Sequence, residues 1–479
     1  MTRLVIGPFN RVEGDLEVTL DVADGAVRAA HVNSPMYRGF EQILQGKDPF
    51  DALVFVPRIC GICSVSQSAA AAEALATAMG IEPPPNGRLA TNLLLANENM
   101  ADHFGHFYLF FMPDFAREAY RGRPWFEAAQ ARFKAVTGSA TREALPARTA
   151  FLQLMGFLAG KWPHTLSIQP GGAAQALQAS ERIRLLTLLR QFRLWLESAL
   201  FGDALEAIAA IDSAAQLAAW CAARPPAHSD FRLFLEIARD LELHKLGRAT
   251  DTFISYGNYP LEAGRLFRPG VWDGALLPAD PLAISEDISH SWLAGAAAPA
   301  HPSVGVTRPD ADKAGAYTWC KAPRWNGRVV EAGALARQAV HGHPLIRDLV
   351  AASGGNVANR VIARLLELAL VLPAMERWAQ ALQLGEPWCH HGTMPEEAYG
   401  IGMVESARGA LGHWLDVRGG RIRNYQIVAP TTWNFSPRDA AGTPGPLEQA
   451  LVGTPVGEGN VAVQHVVRSF DPCMVCTVH

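Results

Sequence analysis

The sequence predicts a mainly α protein with a minor β portion: a bundle of long helices with strands at its rim. Three observations predict it. From Asn356 to Leu384 the apolar residues Val361, Leu365, Leu368, Leu372, Met375 and Leu382 keep helical spacing over about eight turns. Stretches rich in alanine and leucine, with few breakers, fill 64–79 and 172–247. The alternation that marks a half-buried strand is confined to short segments towards the two ends of the chain.

In chain order, the first element is a hairpin. Leu16, Val18, Leu20 and Val22 alternate, Asp24-Gly25 supplies the turn, and the return strand passes through Val27 and Val32. A helix over Ser64–Met79 stops at Gly80, because glycine accepts the left-handed conformation that ends helices, and Pro83-Pro84-Pro85 follows as a breaker. A second helix is expected from Asn92 to Phe111, ending at Pro113. Between Gly172 and Gly247 the pattern reads as two or three long helices, and from 250 to 345 frequent Gly, Pro and Trp read as loops with short strands. The tail returns to strands around Trp414–Val428 and then to loops and short helices.

No Pro/Ser linker and no internal repeat divides the chain. A length of 479 residues suggests about three domains on a prior of ~150 residues each, but one body over 1–479 is the simpler reading. Within it, 1–63 is strand-rich and holds the first cysteine pair, 64–250 is helical, and 251–345 is rich in loops and strands. A long helix occupies 346–390, and 391–479 is a C-terminal part with the second pair.

With 42 Lys plus Arg against 46 Asp plus Glu, the net charge of −4 excludes a nucleic-acid footprint, which needs a basic excess. At 49% apolar and 18% charged, the chain has ample core. Charges interrupt every apolar run before it spans a bilayer; the best, Leu365 to Leu384, contains Glu367, Pro373, Glu376 and Arg377. The first residues lack the order of a signal peptide, so no export signal is expected on this chain itself.

Seven cysteines, an odd and sparse set, suit a reducing compartment. Cys221, Cys320 and Cys389 read as small core residues. The other four form two C-x-x-C pairs, Cys60/Cys63 and Cys473/Cys476, at opposite ends of the chain. Each pair has the spacing to share a metal or form a redox disulfide. The long separation between the pairs does not fit a compact zinc ribbon, and a thioredoxin-like motif explains one pair, not two. Spacing alone leaves open a four-thiolate site for nickel, copper(I), zinc or iron–sulfur iron, a zinc staple, and unrelated buried cysteines.

Further motifs narrow this. Arg-Val-Glu-Gly at 11–14, Tyr-Arg-Gly-Phe-Glu at 37–41, Arg-Ile-Cys-Gly-Ile-Cys at 58–63 and Asp-His-Phe-Gly-His-Phe-Tyr at 102–108 are followed by Lys-Ala-Pro-Arg-Trp at 321–325 and Arg-Gly-Ala-Leu-Gly-His-Trp at 408–414. Asn-Tyr-Gln at 424–426, Pro-Thr-Thr-Trp-Asn at 430–434 and the terminal Asp-Pro-Cys-x-x-Cys-x-x-His complete the series. In this order the chain resembles the large subunit of nickel-iron hydrogenases from residue 11 to residue 479.

The resemblance implies a nickel ion on all four cysteines, with Cys60 and Cys473 terminal, and Cys63 and Cys476 bridging to an iron that carries carbon monoxide and cyanide. It implies heterolytic cleavage of dihydrogen, the proton passing to the Cys473 sulfur and then to Glu13. Pro323 and Arg324 would line the cofactor, Arg324 donating to one cyanide and Thr431 to the other, with Asp102 and Asp471 surrounding Arg324. Glu41, His479 and the Ile427 carbonyl would hold a divalent ion near the C-terminus, usually magnesium, with iron or zinc left open by the histidine.

Three departures from the family pattern bear on the subtype, which is expected to be the dihydrogen-sensing, regulatory one. Asp15 stands where the motif continues with histidine, which alters the surroundings of Glu13 and hence proton transfer. The sequence stops at His479: either this is the mature form, or no extension of the kind most members lose on maturation is encoded, the latter being characteristic of the sensing subgroup. Ile62 and Phe110 stand where Val and Leu usually line the end of the gas path. No cysteines remain in iron–sulfur spacing, so a small subunit carrying the clusters is required, as a heterodimer or a dimer of heterodimers. The resemblance further implies maturation proteins and a histidine kinase reached through that subunit. The rival readings are an uptake hydrogenase, a zinc-stapled interaction protein, and a quinone-binding relative that lacks the four cysteines.

Overall fold

The N-terminal alternation forms an antiparallel sheet, β1 (Thr2–Ile6), β2 (Glu17–Ala23) and β3 (Ala26–Asn33), in that order. Val18, Leu20, Val27 and Val32 face the core, and Asp24 and Gly25 take positive φ values of 53° and 72°, as a two-residue hairpin turn requires. The structure is a computed structural model, and it describes residues 2–295, 298–477 and 479.

Helix α1 spans Ser64–Met79 as expected, closing at Gly80 with φ 66°. Its alanine face lies on the strand β6 (Ala398–Ser406) of the C-terminal sheet. The approach is close because Gly400 and Gly402 have no side chain there: a Cβ on either would overlap the carbonyl oxygens of Ala74 and Ala70.

Helix α2 begins earlier than the sequence suggested, at Pro85, and runs to Gly105. Proline at the first helical position loses no bond, because that N–H has no partner in the helix, so the proline run starts the helix rather than keeping it away. At its far end α2 widens into a π turn over His106–Phe111, followed by a 3₁₀ turn over Met112–Ala116. The 172–247 stretch gives one long helix, α3 (Ala179–Trp195), then shorter ones over Leu205–Ala209, Ala214–Ala222 and Asp230–Asp240. Gly202 in the left-handed region and the side chains of Ser213 and Ser229, which cap the next helices, account for the divisions.

Residues 251–345 form strands of two to four residues, among them the pair β4 (Ile284–Asp287) and β5 (Ala322–Trp325), before the helix α4 (Ala334–His341). The long helix expected over 346–390 is divided. Pro344–Ser353 ends at Gly354, whose φ is 71°, and α5 then runs over Val357–Ala381 with Asn356 capping it by accepting from Asn359 N at 3.0 Å. Helix α5 packs against α2 and α3 and is buried almost throughout. The C-terminal strands form an antiparallel meander of β6, β7 (Gly409–Arg418) and β8 (Arg421–Val428). A single apolar cluster extends from Phe9 to Cys476 and includes all four paired cysteines. Among the described residues, no helix is long and apolar enough to cross a membrane.

Candidate metal centre

Both cysteine pairs sit on tight turns. Cys60 follows the 3₁₀ turn Val56–Ile59, and Cys63 is the N-cap residue of α1. At the other end Asp471, with φ 57°, turns the chain into Pro472 and Cys473, and Cys476 ends a 3₁₀ turn that begins at Met474. This segment is held to the Arg-Val-Glu-Gly motif: Glu13 N donates to the Pro472 carbonyl at 3.3 Å, and Met474 N donates to the Glu13 carbonyl at 2.7 Å. Gly14 has φ 79°, and a Cβ there would meet Val475 at 3.0 Å, so the motif's glycine is needed for both conformation and space.

The pairs, 413 positions apart, meet with Sγ separations of 3.3 Å for Cys60–Cys473 and 3.1 Å for Cys63–Cys476. Cys473 and Cys476 are also 3.1 Å apart, and all four sulfurs lie within 4.8 Å of one another. A disulfide needs about 2.05 Å, whereas thiolates around one metal at ~2.3 Å lie about 3.8 Å apart. The spacing therefore matches a shared metal better than oxidised pairs. The other thiols, Cys473 first, hydrogen-bond to Cys60 and hold it well below the usual thiol range, while Cys63 and Cys473 are pushed well above it. Four thiolates this close and this buried need a cation to ionise together, which is the donor set a soft transition metal takes.

The guanidinium between Asp102 and Asp471 belongs to Arg408, which corrects the expectation that Arg324 occupies that place. Arg408 Nη1 lies 2.8 Å from Asp102 Oδ2, its Nη2 donates to Asp102 Oδ1 at 3.1 Å and Asp471 Oδ1 at 3.2 Å, and its Nε donates to the Asp471 carbonyl at 2.9 Å. Its charge reaches Cys473, Cys63, Cys60 and Glu13. Burial pushes Asp102 up to about 7, whereas Arg408, aided by Arg364 at 3.6 Å, holds the equally buried Asp471 down to about 2.

Arg324 lies on β5 and is turned elsewhere. It pairs with Asp439 at 3.0 Å and donates to the carbonyls of Pro323, Pro437 and Thr443. The reason is tertiary: β5 pairs with β4, while Arg408 sits in the tight turn between β6 and β7, against the Asp471–Cys473 segment. Pro323 goes with Arg324, its carbonyl serving that arginine. Thr431, at the start of the short helix Pro430–Asn434, accepts from Cys473 N at 3.3 Å, which leaves its own proton available to another acceptor. The Glu13 carboxyl is half-buried, and burial, then the neighbouring Cys60 sulfur, raise it above the usual carboxylate range.

The three atoms expected to hold a C-terminal divalent ion do converge. His479 Nε2 is 2.6 Å from the Ile427 carbonyl oxygen and 3.4 Å from Glu41 Oε1. Sequence reasoning missed Lys321, whose ammonium donates to Glu41 at 3.1 Å and to Gln426 at 2.7 Å and lies 3.4 Å from Glu286. Against burial, Lys321 and His479 hold Glu41 down to about 2. The second oxygen of Glu286 is buried without a protein partner, so two carboxylates, a carbonyl and an imidazole fit a hydrated divalent cation. The Lys-Ala-Pro-Arg-Trp motif thus serves this site through its lysine. Of the gas-path pair, Ile62 lies half-buried in the Cys60–Cys63 turn, and Phe110 is half-buried in the π turn with its carbonyl accepting from Arg11 at 3.0 Å. The rings of His106, Phe107, Tyr108 and Phe111 in the same turn are fully buried.

A buried centre of four thiols, with an arginine held between two acids at its side, defines a thiolate metalloprotein. The model of the nickel-dependent hydrogenases matches residues 38–118 and 118–479, and the chain belongs to that family, as a large subunit. The periplasmic [NiFeSe] hydrogenase large subunit of Desulfomicrobium baculatum is 30% identical, the match covering 100% of this chain and 95% of that one. The Hydrogenase-2 large chain of Escherichia coli is 27% identical, covering 100% and 97%. Among solved structures, the Ni-Fe-Se hydrogenase of Desulfovibrio vulgaris Hildenborough in the reduced state superposes with a TM-score of 0.85 at 30% identity, covering 100% of both chains. In this chain all four paired positions are cysteine.

Proposed function

We propose that this chain is the subunit at which dihydrogen is split heterolytically into two protons and two electrons. The observation that carries the reading is the convergence of two cysteine pairs, 413 positions apart, beside the half-buried Glu13. Cys60, Cys63, Cys473 and Cys476 would hold a nickel–iron centre, with cyanide and carbon monoxide on the iron. When bound, that centre supplies the electron-accepting metals across which dihydrogen is polarised. The rest is done by the chain. The Cys473 sulfur takes the first proton, and Glu13, raised above the carboxylate range by burial and by Cys60, takes it on and releases it towards solvent. Arg408, rather than Arg324, directs fixed guanidinium donors beside the centre, and the free proton of Thr431 serves a second acceptor.

Electrons leave through an iron–sulfur small subunit, because the remaining cysteines, Cys221, Cys320 and Cys389, are isolated. Glu41, His479 and the Ile427 carbonyl would hold the divalent ion that anchors the tail. Metal analysis with infrared spectroscopy of the purified heterodimer tests the reading. Nickel and iron with cyanide and carbonyl bands are expected; zinc alone refutes it.

A second, finer reading is a cytoplasmic dihydrogen sensor acting through a histidine kinase, and the bulk of Ile62 and Phe110 favours it over an uptake enzyme. Larger side chains near the metal narrow the passage and exclude dioxygen before dihydrogen. Under this reading, Ile62→Val with Phe110→Leu raises sensitivity to dioxygen, and deletion of the gene removes a transcriptional response while growth on dihydrogen persists. Unchanged sensitivity and loss of growth instead support the uptake role.

A further inference from the structure

Helix α1 has Cys63 as its N-cap residue, and this creates a difficulty. The first N–H groups of a helix need acceptors, usually from the N-cap side chain, yet Cys63 makes no such bond and its sulfur is turned to the other cysteines. The acceptor comes from another helix. Glu98 on α2, 2% exposed, accepts from Val65 N and Ser66 N at 2.9 Å each, from the Ser66 hydroxyl at 3.1 Å and from the Ser64 hydroxyl at 3.4 Å. Its Oε2 also accepts from Trp162 Nε1 at 3.0 Å. The loop that carries Trp162 closes over the cysteine turn: His164 N donates to Ser64 Oγ at 3.3 Å, and Pro163 lies 3.9 Å from where a Cβ on Gly61 would stand.

We propose that Glu98 is a positioning residue for the metal centre: its carboxylate caps α1 in place of Cys63, freeing that sulfur for metal, and its charge sets the electron density on the Cys60/Cys63 pair. The geometry selects an acceptor. Three of the five partners, two amides and an indole, only donate. The positive end of α1 is therefore divided between Glu98 and Cys60, whose sulfur accepts from Cys63 N at 3.4 Å. Burial pushes Glu98 up to about 7, and the Val65 and Ser66 amides and the Trp162 indole oppose it, so its charged form depends on these donors. Removing the charge leaves the helix end acting undivided on the thiolates, which withdraws electron density from the metals they hold.

The inference rests on the four cysteines holding nickel and iron, and the experiment separates the two. The purified heterodimer is compared as parent, Glu98→Gln and Glu98→Asp by nickel and iron content, infrared spectroscopy and redox titration. Absence of cyanide and carbonyl bands in the parent refutes the reading of the site itself. With those bands present, Glu98→Gln is expected to move the carbonyl band to higher frequency and the midpoint potential to more positive values, with Glu98→Asp close to the parent. Nickel lost in Glu98→Gln but kept in Glu98→Asp supports the same conclusion. Parental bands and potential in Glu98→Gln, or equal displacement or equal metal loss in both variants, overturn it.

Discussion

Replacing Arg408 by lysine keeps the charge and removes the fork. The four contacts of Arg408, at 2.8, 3.1, 3.2 and 2.9 Å, run in two directions, to Asp102 and to the Asp471 carboxylate and carbonyl. A single ammonium satisfies about half of them. At about 1.5 kcal/mol for each lost charge-assisted bond, two cost about 3 kcal/mol. For a chain of 479 residues the unfolding entropy is about 1 kcal/mol per kelvin, so Tm should fall by about 3 °C, a change a thermal melt resolves. The rate should suffer more. Misplacing a fixed donor beside reacting groups typically costs about 10²-fold, so dye-coupled dihydrogen oxidation per nickel should drop by about two orders of magnitude. The control is Arg324→Lys, which breaks a buried pair with Asp439 and so also lowers Tm, but should leave the rate per nickel near that of the parent. If Arg324→Lys abolishes turnover at full nickel content while Arg408→Lys does not, the assignment of Arg408 is refuted.

Glu13→Gln should keep nickel and iron but slow dihydrogen oxidation by about 10²-fold or more, because an amide takes no proton; normal turnover would remove Glu13 from the relay. Glu367 and Arg337 are fully buried and paired at 2.8 Å, and Arg337, against the upward push of burial, holds Glu367 down to about 2 from 4.5. Because the folded value is the lower one, this stabilisation, about 3 kcal/mol, is present above pH 4.5 and lost as pH falls towards 2. Urea midpoints should fall steeply between pH 5 and 3 in the parent and less steeply in Glu367→Gln, which starts weaker at neutral pH; parallel profiles would contradict this. Gly402→Ala forces a Cβ into the Ala70 carbonyl and should lower stability by about 1–3 kcal/mol together with nickel retention, since α1 carries Cys63. Unchanged thermal melts and metal content would show that the helix has room to shift.

Local chemistry carried much of the fold. Period and punctuation placed the Asp24-Gly25 hairpin, α1 with its Gly80 stop and the long apolar helix ending at Ala381, because these depend on residues within a few positions of one another. The misreadings were places where a local signal has two meanings. Pro85 starts a helix as readily as it breaks one, and Gly354 divided a run whose apolar period continued. The same division holds for the site. The spacing of the two C-x-x-C pairs marked them as candidate ligands, whereas Glu98 gave no signal and Lys321 was visible only as part of its motif, because each acts on partners far away in sequence.

By itself, the sequence singled out the residues to which the family resemblance assigns the chemistry: four thiols, a glutamate two residues from the Arg11 of its motif, and acids at 102 and 471 with a cation expected between them. Tertiary structure decided which cation that is. Arg324 and Arg408 lie in equally persuasive motifs, and both are buried at 2% exposure. Only the pairing of strands, which turns one arginine towards Asp439 and sets the other against the Asp471–Cys473 segment, distinguishes them. Two buried carboxylates are costly without a guanidinium in reach, and reach is set by the path of the chain, which no local pattern encodes.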